Sequence, residues 1–409
     1  MVETVRRSAI SRTMLDIEEH SSWIRKMFVE GARLKARVGA HNVIDLSLGN
    51  PDQPPSPKMI GTMVALLQRE LQLDAGRNQH SYMPNAGFPE VRNRVAEYLN
   101  KTQNPASALT SEQVIMTCGA GGALNVIFKA LLNPGDEVLT PDPFFPEYEF
   151  YAANHGGKLV TAPTGADFEL YPAAMERAIG PRTKAILINS PNNPTGVIYQ
   201  EKTLRDLADI IRQKENEYDQ DIFLVADQPY AGLVFDGARL PSIFEIFPHS
   251  LLASSFSKDL SLAGERIGYI GINPSAPDAQ ALANALITAN RILGFVNAPA
   301  LAQRLAAEYL GEVVGLEEYQ SRRNLMYAAL TDMGYEVLKP QGTFYMWVKT
   351  PIDDLVFVEK ARDEHNLLAV PGRGFGQRGQ NHIRLALCVP QSDLLRSLPA
   401  FQALAKSMG

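Results

Sequence analysis

Between residues 110 and 275 the apolar positions fall in short runs, at 113–117, 136–140, 158–162, 184–189, 221–226, 250–254 and 266–272, and most intervening segments carry apolar residues at helical spacing. Runs too short for a helix and rich in Val, Ile and Leu read as buried strands. Seven strands alternating with helices predict an α/β fold: a seven-stranded, mostly parallel sheet sandwiched by helices. Leu251-Leu252-Ala253 and Ile267-Gly268-Tyr269-Ile270 are joined by about a dozen residues, tight for a parallel crossover. Those two strands are predicted to run antiparallel.

The flanks have a different pattern. Residues 14–38 predict one amphipathic helix through Trp23, Met27, Phe28 and Leu34, stopping at Gly39. Residues 300–331 predict a long helix with Ser321-Arg322-Arg323 on its solvated side. Strands at 334–338, 343–349, 367–370 and 382–388, with a helix at 353–365, predict a smaller α+β unit that the N-terminal helix completes. The expected division is a large α/β domain over 50–299 and a small one from 1–49 and 300–409. Neither a low-complexity linker nor an internal repeat interrupts the chain.

Composition removes several function classes. At 409 residues, 45% hydrophobic and 21% charged, the chain is long enough for two real cores. A net charge of −6 argues against a nucleic-acid surface, with Arg6, Arg7 and Arg12 forming only a small basic start. There is no 18-residue apolar run and no apolar segment of signal-peptide type, so no membrane partner is expected and the cytoplasm is the expected location. Cys118 and Cys388 stand far apart, and the seven histidines never pair at i, i+4 around a glutamate. No disulfide and no metal site are expected.

Candidate chemistry gathers at strand ends, where open α/β sheets bind ligands. After 113–117 the chain reads Cys118-Gly119-Ala120-Gly121-Gly122-Ala123-Leu124 and turns helical, so free N–H groups and a helix dipole face an anion. A dinucleotide fingerprint is the rival, but its third glycine would fall on Leu124. A literal Gly-x-Gly-x-x-Gly at Gly374, Gly376 and Gly379 precedes a strand rather than a helix and is set aside. Strand 221–226 ends at Asp227-Gln228-Pro229-Tyr230, and a carboxylate there needs a partner. Strand 250–254 runs into Ser255-Phe256-Ser257-Lys258. A lysine so placed is either a solvated loop residue or one whose amine condenses with a carbonyl cofactor. Ser255, Ser257 and Arg266 favour the second, because they suit a phosphate dianion. Arg384 stands inside an apolar strand, where a bidentate carboxylate would offset its burial. Gly49, in Leu48-Gly49-Asn50-Pro51, either lets backbone approach a ligand or is an ordinary turn glycine.

Together, Ser-x-Ser-Lys followed after seven residues by Arg266-x-Gly268, the run Asn193-Pro194-Thr195-Gly196, Asp227 with Tyr230, Ser81-Tyr82-Met83-Pro84-Asn85-Ala86-Gly87 and the Arg384-Leu385 pair strongly resemble the class I/II aminotransferases, the fold type I pyridoxal 5′-phosphate family. The resemblance covers roughly residues 40–390. It implies pyridoxal 5′-phosphate bound as an aldimine to Lys258, with Asp227 on the pyridinium nitrogen and Phe145 stacked on the ring. Asn193 and Tyr230 would bond the phenolic oxygen. Ala120, Gly121, Gly122, Ser255, Ser257 and Arg266 would hold the phosphate, with Tyr82 reaching the phosphate of a neighbouring subunit in a homodimer. Many relatives carry a hydroxyl or lysine where Gly121 stands, which shifts the load here to backbone N–H groups. Arg384, with Gly49 and Asn193, would take the substrate α-carboxylate.

The implied activity is transfer of an α-amino group from an L-amino acid to a 2-oxo acid. A carbon–sulfur β-lyase using the same cofactor, and a non-catalytic binding protein on the same fold, are the alternatives. Ile292, Leu293, Phe295, Phe344 and Tyr345 are expected to form a mostly apolar side-chain pocket, favouring neutral donors over aspartate. Arg291, or a mobile Arg33 or Arg37, is the route by which a second carboxylate would be held.

Overall fold

The computed structural model describes residues 9–19, 23–71, 78 and 80–406; Arg6 and Arg7 lie outside them. Each expected strand of the large sheet is present: β2 (Val114–Thr117), β3 (Glu137–Asp142), β4 (Lys158–Pro163), β5 (Thr183–Asn189), β6 (Phe223–Asp227), β7 (Ser250–Ser255) and β8 (Gly268–Ile272), preceded in the chain by the short β1 (Ile44–Asp45). The sheet order is β2-β8-β7-β6-β5-β3-β4. β8 runs antiparallel to both neighbours and the other pairs are parallel. Every residue of β2, β6, β7 and β8 is buried, the reason these strands read as unbroken apolar runs.

Alternation divides the core in two. Val225, Leu251 and Ile270 pack with Ile127 of the helix Gly119–Leu131 and Leu286 of the helix Ala279–Ile292. Leu224, Leu252 and Tyr269 face the other way, into a cluster with Val95 of the helix Pro89–Gln103 and Leu207 of the helix Glu201–Tyr218. Asn189, Asp227 and Ala253 lie side by side at the C-terminal edge, so three strands deliver their ends to one place.

A second, antiparallel sheet has the order β12-β13-β10-β9, formed by β9 (Val337–Leu338), β10 (Tyr345–Lys349), β12 (Val370–Pro371) and β13 (His382–Ala386). β11 (Leu367–Leu368) pairs in parallel with β1. Beyond β1, Ala386 N–H donates to Leu46 O at 2.7 Å, so the segment leading to Gly49 is anchored on β13.

Two expectations on the flanks change, and the N-terminal helix is seen in part. The N-terminal helix is seen as Arg12–Glu19 and Trp23–Val38, with the residues between them outside the description. The long helix at 300–331 is broken into Ala300–Glu308 and Leu316–Asp332, because Gly311 and Gly315 take left-handed backbone with φ of 85° and 72°. Arg322 and Arg323 are buried rather than solvated. Arg322 Nη1 donates to both oxygens of Asp52 at 2.9 Å and to Leu387 O at 3.2 Å; Arg323 Nη2 donates to both oxygens of Asp236 at 2.9 Å. Arg322 Nε also donates to Glu318 Oε1 at 2.9 Å, one turn back in the same helix, but Asp52 and Asp236 lie far away in the chain, so helical periodicity alone gave no sign of those two pairings.

Removing one member of a buried pair leaves the other charge uncompensated. With Asp52 one-fifth exposed, Arg322→Met is expected to cost about 3 kcal/mol, at the low end for such pairs. The midpoint of urea unfolding should fall, and adding Asp52→Asn should restore part of it; equal midpoints for wild type and Arg322→Met would show that the pair contributes nothing.

Candidate active site

A cavity of about 320 Å³ opens where the C-terminal ends of β6 and β7 meet the start of the helix Gly119–Leu131. Lys258 enters from the turn after β7, and its Nζ donates to Gly49 O at 2.8 Å. Gly49 is required there: a Cβ would collide with the Tyr345 hydroxyl. Burial, with Arg384 and Arg266 nearby, lowers the Lys258 amine from its ordinary 10.5 to about 8.

Asp227 is buried, and burial raises its carboxyl to about 7, against the opposing bond from Tyr148. Tyr148 Oη donates to Oδ2 at 2.6 Å, while Oδ1 is buried without a hydrogen-bond partner among the described residues. One oxygen is therefore held and the other left open. Phe145 lines the cavity, its ring 5.5 Å from that of Tyr148 in an edge-on arrangement.

At the helix end, Ala120 and Gly121 line the wall with Ser255, Ser257 and Arg266. The first N–H groups of a helix have no partner within it, so this corner offers backbone donors, hydroxyls and a guanidinium together. Gly119, at φ 73°, is the residue that allows it, since a Cβ there would come within 2.8 Å of Arg266 Nη2.

Arg384 enters from β13 and is 1% exposed. Its Nη1 donates to Asn193 Oδ1 at 3.1 Å and its Nη2 to Ser47 O at 2.7 Å; its guanidinium lies 4.3 Å from the Tyr345 ring and 4.9 Å from the Phe375 ring. Nε is buried with no partner among the described residues. Among the described residues no carboxylate pairs with this cation.

Tyr230 lines the same cavity, 3.4 Å from the Tyr345 hydroxyl. Other expected residues are not brought in. Gly122 lies behind the wall, where a Cβ would meet Cys118 and Phe295, because the helix has already turned that position inward. Tyr82 is 89% exposed and away from the cavity of its own chain. Ile292, Leu293, Phe295 and Phe344 are also absent from the wall, leaving Tyr345 as the member of that group that reaches it. Ile292 ends its helix on the outer surface and is 57% exposed. Sequence reasoning missed Tyr148 and Tyr151, which also line the cavity. The signal was the spacing of Phe145, Tyr148 and Tyr151, three residues apart along a helical turn.

The decoy glycines serve another purpose. Gln377 and Arg378 N–H donate to the Asp142 carboxylate at 2.9 and 3.2 Å, and a Cβ on Gly376 would collide with it. At the opposite end of the large sheet Glu215, Asp221 and His249 lie close together, with His249 Nδ1 2.7 Å from Glu215.

A lysine with a depressed amine, a buried carboxyl with one open oxygen and an anion corner on one cavity are the features that pyridoxal 5′-phosphate needs, and the donor set fits that group. The family model for aminotransferase class I and II matches residues 41–400. The chain belongs to the class I and II aminotransferases. Among its relatives are a probable aspartate/prephenate aminotransferase of Thermus aquaticus, 33% identical over 388 residues that cover 92% of this chain and 95% of the relative. A probable aspartate aminotransferase of Methanocaldococcus jannaschii is 31% identical over 367 residues, covering 88% and 93%. An amino transferase structure from Eubacterium rectale superposes with a TM-score of 0.91 at 34% identity, covering 98% of this chain and all of that one. Members of this family depend on pyridoxal 5′-phosphate, and the chain is an aminotransferase.

The Lys258 amine of this aminotransferase carries a sign-specific consequence. Between about 8 and 10.5 the folded chain binds fewer protons at this site than the unfolded chain, so stability rises with pH through that window. Acetylation of Lys258 in cofactor-free protein, followed by mass spectrometry, is expected to titrate with a midpoint near pH 8. A midpoint at the ordinary 10.5 would remove the basis for a free amine at neutral pH.

Proposed function

We propose that this aminotransferase moves the α-amino group of a neutral L-amino acid to a 2-oxo acid, with pyridoxal 5′-phosphate anchored on Lys258. The observation that carries the reading is Arg384, a buried guanidinium with an unpartnered Nε and no carboxylate beside it, facing the same cavity as the depressed amine of Lys258. Arg384 takes the α-carboxylate that every amino donor has, as a charge-assisted fork. Asp227 Oδ1 accepts from the protonated ring nitrogen, and Tyr148 fixes the carboxylate so that this oxygen faces it. Ala120, Gly121, Ser255, Ser257 and Arg266 bind the phosphate, Phe145 packs on the ring, and Asn193 and Tyr230 bond its phenolic oxygen. When bound, the cofactor supplies an electron sink for the pair left at the donor's Cα. Lys258 Nζ would take up the Cα proton and deliver it on the cofactor side instead of back to Cα, which suits an amine near neutral pKa.

The neutral preference is supported by the charge inventory. With Arg266 assigned to phosphate and Arg384 to the α-carboxylate, no other guanidinium lines the cavity among the described residues. Arg291 is exposed and off the wall. A second buried carboxylate without a cation would cost several kcal/mol, whereas an apolar side chain gains about 25 cal/mol per Å² buried. Relatives named for aspartate set the opposing expectation, which makes the comparison decisive. We expect kcat/KM for methionine or an aromatic donor to exceed that for aspartate at least about tenfold, equivalent to 1.4 kcal/mol. A preference for aspartate that disappears in Arg291→Ala would overturn this and locate the second carboxylate.

The anchoring residue is open to a direct chemical check. Borohydride treatment of the loaded enzyme should leave the pyridoxyl group on the peptide containing Lys258, and recovery of the adduct on a different lysine would refute the assignment.

A homodimer with shared sites is supported by the exposure of Tyr82 and by Ile60, Val64, Leu67 and Leu71, an exposed apolar stripe along and just past the helix Pro57–Glu70. Mixed dimers of Tyr82→Phe and Lys258→Ala chains should then contain one native site and regain activity above either parent. No recovery on mixing would mean that Tyr82 serves its own subunit.

A further inference from the structure

Two glycines in the first turn of the helix Gly119–Leu131 are each faced by a side chain that stands where a Cβ would go. At Gly119 it is the Arg266 guanidinium of the anion corner. At Gly121 it is the Tyr151 hydroxyl, 3.0 Å from the Cβ position, with Cζ at 3.6 Å. Gly121 lies within the helix and lacks the positive φ of Gly119, so its backbone would accept a side chain; the phenol takes the space instead.

Tyr151 comes from the helix Glu147–Ala153, three residues after Tyr148 and so on the same face. Tyr148 turns its hydroxyl to Asp227, and Tyr151, one turn further on, lines the cavity beside Ala120, Gly121, Ser255, Ser257 and Arg266. Asn125 fixes the spacing of the two helices. Its Nδ2 donates to Gly121 O at 2.9 Å, and its Oδ1 accepts from Asn154 Nδ2 at 3.3 Å and lies 3.2 Å from His155 Nε2. Asn154 caps the helix that carries Tyr151, so the phenol cannot leave Gly121 without disturbing these bonds.

Burial, with Glu147 and Asp227 nearby, raises the phenol to about 12 against the opposing effect of Arg266. It therefore keeps its proton at neutral pH and can donate, where a phenolate would repel an anion. The other donors at this corner are two serine hydroxyls, a guanidinium and the first N–H groups of the helix, all suited to a phosphate. A protonated phenol held against the same turn adds one more.

We propose that the Tyr151 hydroxyl donates a hydrogen bond to the phosphate of the cofactor, in place of a side chain at position 121, which is glycine to leave it room. The proposal rests on the phosphate reading of the corner given above. Pyridoxal, which lacks the phosphate, is the control ligand. Dissociation constants for pyridoxal 5′-phosphate and for pyridoxal, from fluorescence titration of the cofactor-free full-length protein, give the worth of the phosphate as the ratio of the second to the first. Tyr151→Phe should lower that ratio about tenfold, as expected for one hydrogen bond to a charged group, and leave the pyridoxal constant unchanged. Gly121→Ser alone should also lower it, because its Cβ crowds the phenol. On the Tyr151→Phe chain the same change should raise it, because the nearest ring atom is then Cζ at 3.6 Å and the serine supplies a hydroxyl. A Tyr151→Phe ratio equal to that of wild type, or equal weakening of both ligands, would overturn the proposal and make the phenol a plain wall. Gly121→Ser with the same effect in both backgrounds would overturn the exchange of positions. A wild-type ratio near one would instead remove the phosphate from this corner, and the reading on which the proposal rests would fall with it.

Discussion

Unpaired burial of charge is the constraint around which the molecule is arranged. Lys258, Asp227 and Arg384 face one cavity, and among the described residues none of the three is bonded to an opposite charge. Each is held by neutral groups instead: a carbonyl for the amine, a phenol for the carboxyl, an amide and a carbonyl for the guanidinium. Neutral partners orient a charge without neutralising it, which leaves its electrostatic capacity available to a ligand. The cost appears in the displaced titration of Lys258 and Asp227, both driven first by burial. A fold that keeps three such groups in place has to supply the stability elsewhere.

It supplies it in close backbone packing and in pairs that are fully answered. A Cβ on Gly268 would collide with Ser254 O and would press on Gly119, so β8, β7 and the start of the helix Gly119–Leu131 approach more closely than any larger residue allows. That approach sets the anion corner against Ser255. On the other side, Arg322 and Tyr319 hold Asp52, and Ser261 Oγ donates to Gln53 O, so the segment after Gly49 is tied both to the helix Leu316–Asp332 and to the Lys258 turn. Gly49 O can then meet Lys258 Nζ at a fixed place. The Asp142 carboxylate secures the loop carrying Phe375, whose ring lies against Arg384, and Phe144 N–H donates to Phe375 O at 2.8 Å.

What was legible in the sequence follows from the range of the interactions. The large sheet was readable because its strands are buried on both faces and so appear as apolar runs, and the β7–β8 reversal followed from a connection too short for a crossover. Lys258, Asp227 and Arg384 were readable because each is a charge in an apolar context. Arg322 and Arg323 misled for the converse reason: as neighbours in a helix with other charged residues they look solvated, and beyond the one-turn partner Glu318 of Arg322 the carboxylates that hold them, Asp52 and Asp236, are 270 and 87 positions away. Tyr148 went unnoticed because its hydroxyl partner lies 79 residues on. Ile292 and Tyr82 were assigned from resemblance to places that a single chain does not provide, and both point outward.

Arg384 shows why the two sheets have to be read as one site. Its backbone belongs to β13, its Nη2 is held by Ser47 of the segment after β1, and its Nη1 by Asn193 after β5 of the large sheet. Aromatic faces from Tyr345 and Phe375 flank the guanidinium plane, keeping water from it and fixing its tilt. A shift of the smaller sheet relative to the larger would have to break the Asn193 bond or drag the loop after β5 with it. The position of this guanidinium is therefore a direct measure of how the sheets sit together. Lysine in its place would keep the charge but lose the planar fork that spans both anchors, so the geometry, more than the charge alone, makes this residue an arginine.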